Sequence, residues 1–188
     1  MLTLTIENKK IQCHFGTQGT ELLSNFTKTS SPLMALRLNN EILPLSWRML
    51  TDGKLEPVYL NSKDGVAVYR RTLCFILAAA VHKLFPEKRL LIGHSLGSSY
   101  YYTFDDSPAE KQQVELIKSE MRSIVQKNET IQTLITSYEA ACELFEKNGL
   151  KDTRAQLEYR CAPQVTVNTL GSFSDIFQGP CSLTTGQI

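Results

Sequence analysis

A chain of 188 residues, 42% apolar and 21% charged, has the make-up of one large or two small globular domains, which excludes a disordered or fibrous protein. Its net charge of +1 supplies no long-range field for nucleic acid or an anionic membrane, so any such contact must come from a local patch. Five widely spaced cysteines (Cys13, Cys74, Cys142, Cys161 and Cys181) offer neither a C-x-x-C pair nor a Cys/His ligand set, and read as reduced thiols in a cytosol.

The opening MLTLTIENKK lacks the basic start, apolar run and cleavage site of a signal peptide. Leu2, Leu4 and Ile6 alternate with Thr3 and Thr5, a half-buried strand. Ile11, Cys13 and Phe15 resume the alternation past a polar turn, so a hairpin is expected. Gly19-Thr20 opens a short helix carrying Leu22, Leu23 and Phe26. Met34, Leu36 and Leu38 form another strand, Asn39-Asn40 a tight turn, and Ile42 to Leu45 an edge segment limited by Pro44. Glu56 to Leu60 is the last strand of this first unit, residues 1–63.

Asn61 to Gly65 is a turn-rich boundary, with Asp64 expected as the N-cap of the helix that follows. Leu73, Leu77, Ala80, Val81 and Leu84 recur at helical spacing until Pro86. The most apolar window, Leu73 to Leu84, is shorter than the about 20 residues that cross a bilayer and is interrupted by His82 and Lys83. Leu90 to Ile92 and Tyr100 to Phe104 read as strands. Ser107 and Glu110 make a capping box for a helix running to Lys127, and Thr136 and Glu139 a second for a helix closed by Gly149. Gln156 to Tyr159 and Gln164 to Leu170 look like strands, and Gly179 to Gly186 like a linker. The fold class is α+β.

Gly93-His94-Ser95-Leu96-Gly97 matches the G-x-S-x-G nucleophile elbow. An elbow needs a helix after its serine, and here the aromatic run Tyr100-Tyr101-Tyr102 favours strand. The histidines are His14, His82 and His94, none after Ser95, so the acid-then-histidine order cannot be completed. A turn is the preferred reading and a serine esterase the least. Neither a P-loop nor a G-x-G-x-x-G is present. Asp105-Asp106 reads as a solvated turn rather than a cation site, and Arg70, Arg71, Lys83, Lys88 and Arg89 as a solvated basic face rather than a phosphate site. Cys74 and Cys142 lie among apolar helical neighbours and read as core.

Three segments of residues 1–63 carry a resemblance: Leu2 to Ile6, Leu36 to Ile42, and the Asp64-Gly65 exit. This stretch resembles a TGS domain, the β-grasp module that opens many threonyl-tRNA synthetases. Residues 64–188 resemble the editing domain of the same synthetases, through Ala79 to Pro86, Ile92 to Tyr102, Ser137 to Gly149 and Asp175 to Cys181. The resemblance implies an editing site built from two histidines four apart on the long helix and a cysteine and a histidine around the late Gly-Pro. Those positions hold Arg71 and Phe75, then Phe177 and Cys181. All four positions are changed, and a phenylalanine offers neither a lone pair nor a proton, so neither metal binding nor general acid-base catalysis is expected there. The family's pocket tyrosine and aspartate fall on Tyr102 and Asp175. The degenerate cleft then either persists as a binding surface for a nucleotide or RNA, with Arg71 supplying charge, or is filled by Phe75 and Phe177. Filling is preferred, because inward-facing rings pack.

A TGS-like unit followed by an erased editing-like unit is similar to the N-terminal region of bacterial uridine-kinase-related proteins, and Arg71 to Phe75 suits that group. That resemblance implies a non-catalytic accessory or regulatory region in a cytoplasmic protein, with a P-loop kinase domain as its neighbour in the parent chain. ATP and Mg would belong to that domain, and no cofactor, DNA or membrane is expected for these residues. The alternative is an aminoacyl-tRNA editing hydrolase.

Overall fold

The computed structural model describes residues 1–24, 30–97, 99–159 and 162–188, so the expectations for Phe26, Ser98 and Cys161 lie outside the described residues. The chain is mixed α+β with several sheets. Strands β1 (Leu2–Ile6) and β2 (Lys9–Cys13) pair as the expected hairpin, with Glu7 and Asn8 at positive φ. Phe15 is past its end and exposed. After α1 (Gly19–Leu23) come β3 (Leu33–Leu38), β4 (Glu41–Leu43) and β5 (Gly53–Tyr59). They complete a sheet of order β2-β1-β5-β3-β4, in which β1 and β5 run parallel. Leu4, Ile6, Leu36, Leu38 and Leu55 face α1's Leu23 across one core.

Helix α2 (Lys63–Leu84) joins this sheet to everything else. Its start packs Val68 on Met34, Ala35 and Val58 of the five-stranded sheet. Ser62, not Asp64, is the N-cap: its hydroxyl accepts from Gly65 N at 3.0 Å, while Asp64 pairs with Arg37 of β3. Gly65 has no room for a side chain, since a Cβ would sit 1.9 Å from the Tyr59 carbonyl oxygen. The helix is longer than its apolar window suggested. By length and composition it could cross a membrane, yet Phe75, Ile76, Ala79 and Ala80 are buried against the rest of this chain, as in a core helix.

The hairpin of β6 (Leu90–Leu96) and β7 (Ser99–Phe104) is rooted on α2 and α3 (Lys111–Lys127) through Leu90, Phe104, Val81 and Ile117. Helix α3 starts later than expected. Glu110 caps it in a box with Gln113, and Ser107 reaches only Asp106. Strand β8 (Gln132–Ser137), which the sequence did not reveal, leads into α4 (Tyr138–Lys147), whose cap is Ser137 rather than Thr136. Residues Gln156 to Glu158, expected in a strand, belong to helix α5 (Lys151–Glu158). Thr153 and Leu157, four apart, are its buried residues, and Arg154 bonds Glu158 across one turn.

Strands β9 (Gln164–Leu170) and β10 (Phe173–Ile176) finish an antiparallel sheet of order β10-β9-β8. Alternation along β9 sorts its two faces. Val165 and Val167 meet α4 and α5, while Leu170, beside Phe173, meets α2 and α3. The expected linker is packed structure. Cys181, Ser182 and Thr185 are buried, and Thr185–Gln187 is a 3-10 turn. Its Gly, Ser and Thr residues suggested a loop because their polar groups are usually solvated; here those groups bond the middle of α2 and the end of α3.

Candidate functional site

Arg71, Phe75 and Thr72 project from the middle of α2 toward the segment that follows β10. Arg71 Nη1 donates to the Pro180 carbonyl at 2.9 Å. Gly179, at φ 124°, is what lets the guanidinium in, for a Cβ there would lie 2.7 Å from Arg71 Cζ. One turn on, the Phe75 ring is 7% exposed and packs on Phe173 at a centroid distance of 5.4 Å. Cys181 belongs to the same cluster and is 3% exposed. His82 also packs on Phe173, at a centroid distance of 5.4 Å.

Polar contacts join the same elements. Thr72 Oγ1 donates to Val68 O and accepts from Ser182 N, both at 2.9 Å. Asn168 Nδ2 donates to Cys181 Sγ at 3.5 Å, and Thr133 Oγ1 donates to Asn168 Oδ1 at 2.9 Å. Among the described residues no buried side-chain nitrogen or oxygen lacks a partner. Burial pushes the Cys181 thiol up to about 12, against a smaller opposing pull from the Arg71 charge.

Arg71, Phe75 and Cys181 therefore meet. Tyr102 joins at one remove, donating through its phenol to Cys74 Sγ at 2.8 Å; burial first, and then this bond, push the phenol up. Asp175 pairs across the sheet with Asn168, and its carboxylate accepts from Ile176 N at 2.7 Å and Thr153 Oγ1 at 3.3 Å. Burial is the main cause that raises this carboxyl. Phe177 is half-buried past β10, donates its amide to Thr166 O, and is not among the residues clustered around Phe75. Thr72 and Asn168 are the residues sequence reading missed. Thr72 is the polar residue on the buried side of α2, and Asn168 is the buried polar residue of β9.

The remaining candidates separate from this cluster. Residues Gly93 to Leu96 lie within β6, and the turn falls at Gly97, with φ 60°. Ser95 is exposed and paired with Tyr100 in a hairpin, with no helix after it, so the nucleophile geometry is not formed. His94 stacks on Tyr101 instead. The basic cluster is largely neutralised: Lys83 pairs with Glu120, Lys88 with Asp106, and Arg89 with Asp152. Asp106, held below the usual carboxylate range by Lys88, is thereby part of an ion pair. Among the described residues no group of three His, Cys, Asp or Glu side chains comes together that could hold a metal ion.

No family model matches the chain. It is similar to the threonine–tRNA ligase of Ehrlichia ruminantium (strain Gardel), with 28% identity over 169 residues, 88% of this chain and 26% of the ligase. The threonine–tRNA ligase of Desulforamulus reducens is 28% identical over 198 aligned positions, 100% of this chain and 30% of the ligase. That of Maridesulfovibrio salexigens is 36% identical over 136 residues, 71% of this chain and 21% of the ligase. The chain spans about a quarter of the length of the curated relatives it matches. What the comparisons establish is homology, over most or all of this chain, to a stretch of threonine–tRNA ligases.

Proposed function

We propose that these residues form a non-catalytic accessory region of threonyl-tRNA synthetase type: a TGS-like β-grasp unit, 1–63, followed by an editing-domain-like unit, 64–188, without a working hydrolytic site. The parallel β1–β5 pair at the centre of the first sheet, with α1 on its core, supports the β-grasp reading. The observation that carries the proposal is the close packing of Arg71, Phe75 and Cys181. Ester hydrolysis needs a group that takes a proton from water. A phenyl ring has no lone pair, a guanidinium offers only donors, and a thiol pushed up to about 12 is not a base at neutral pH. One donor of Arg71 is already bonded to Pro180, so a nucleotide or RNA partner competes with that carbonyl for it.

Incubation with Ser-tRNA tests this directly. The expected result is a deacylation rate equal to the uncatalysed one; deacylation that is lost on Cys181→Ala overturns the proposal. The second reading, an aminoacyl-tRNA deacylase, is favoured by the similarity to the ligases and is decided by the same assay. The wider setting is a further proposal, resting on sequence resemblance: a cytoplasmic, uridine-kinase-type parent protein. The relatives described above are ligases and lend the kinase no support. A G-x-x-x-x-G-K-[ST] encoded beyond Ile188 supports the kinase setting, and a ligase catalytic domain there removes it.

A further inference from the structure

Residues 180–188 touch both the Arg71–Phe75–Cys181 cluster and the five-stranded sheet. At the cleft, the Pro180 carbonyl holds Arg71, Cys181 packs with Phe75, and Ser182 N bonds Thr72. In the middle, Leu183 O accepts from Ile131 N, Thr185 N donates to Glu129 O, and Thr185 Oγ1 donates to Ile124 O at 2.9 Å. Gly186 N donates to Asn128 Oδ1 at 3.1 Å. At the far end Leu183 packs against the core of the five-stranded sheet, and Gln187 Nε2 donates to Leu33 O at 3.1 Å. The segment is also braced internally. Ser182 Oγ donates to Thr184 O, and Thr184 N donates to the Gln187 side chain at 3.1 Å. A short piece so braced moves as a body rather than residue by residue.

We propose that residues 180–188 are a strap through which the five-stranded sheet holds the Arg71–Phe75–Cys181 cleft shut, so that releasing Leu183 and Gln187 from that sheet opens the cleft at the other end. The two ends are then linked reciprocally: whatever opens the cleft weakens the hold on β3, and whatever displaces Gln187 from Leu33 exposes Thr72, Asn168 and Cys181. This coupling does not depend on the synthetase reading.

Cysteine alkylation reads the cleft. Leu183→Ser and Gln187→Ala alter the far end and leave the cleft side chains in place. Iodoacetamide labelling at mildly alkaline pH, located by peptide mass spectrometry, is compared at Cys181 and at Cys142, which is buried in a different cluster. The expected result in either variant is a rise of about tenfold at Cys181 with Cys142 unchanged, since local opening exposes only what the strap covers. No rise at Cys181, or a rise that Cys142 matches, overturns the proposal. Native-state hydrogen exchange on the unaltered chain gives an independent reading: Ser182 and Gly186 amides should share one opening free energy. A Gly186 amide exchanging about a hundredfold faster than Ser182 would show the far end fraying alone, against a body that opens as one.

Discussion

Phe75 is the residue on which the candidate site turns. It stands where the resemblance puts a histidine and fills that space with a ring against Phe173 and Cys181. Phe75→Ala should therefore cost about 3–5 kcal/mol, read as a lower urea midpoint at unchanged slope. Asp175 gives a pH signature. Burial raises its carboxyl, so the folded chain holds that proton more tightly than the unfolded one. Its contribution is complete below the unfolded-state value and is lost as pH rises through the folded one. Asp175→Asn keeps an oxygen for Ile176 N and Thr153 Oγ1 and should flatten the fall in stability as pH rises above the ordinary carboxylate value, measured as urea midpoints. An unchanged slope would mean the carboxyl titrates as it does in the unfolded chain. The site's chemistry was legible in the sequence only where a residue type forbids a role. A phenylalanine cannot ligate wherever it sits, but nothing at position 71 announces that Pro180 will occupy the guanidinium.

At the scale of elements, strongly periodic segments were readable and short ones were not. The β1–β2 hairpin, β3, α2 and β9 follow from alternation or helical spacing. Helix α5 was hidden because its buried face is the single pair Thr153–Leu157, of which only Leu157 is apolar, too little to separate from a strand. Strand β8 was hidden for the opposite reason: it is an outer strand with Leu134 and Ile135 both exposed, so it has no clean inside-outside alternation. Capping boxes located the helix starts, but several hydroxyls and carboxylates compete within a turn, and geometry chose Ser62, Glu110 and Ser137. Ser62→Ala should cost about 1 kcal/mol, seen as a lower thermal midpoint, while Asp64→Asn, which leaves the cap intact, should cost less.

For the whole molecule, α2 makes the two sheets interdependent: its start lies in the core of one and its middle in the core of the other. Trp47, the chain's one tryptophan, packs against the five-stranded sheet, so its fluorescence reports that region, while far-UV circular dichroism reports all of the chain. The two signals should give coincident urea transitions; separated midpoints would show the sheets unfolding independently. This dependence was invisible in the sequence, where Asn61 to Gly65 reads as a place to divide the chain. A turn-rich stretch marks where the backbone bends and carries no information about which cores the next helix enters.

The Gln187–Leu33 bond joins residues 154 apart. During synthesis at about 5–20 residues per second, Leu33 is added to the chain roughly 8–30 seconds before its partner. Once β5 is made, the five-stranded sheet stands with Leu33 and its neighbours uncapped until Gln187 follows. The nascent chain thus carries an open flank beside Leu33 until Gln187 appears.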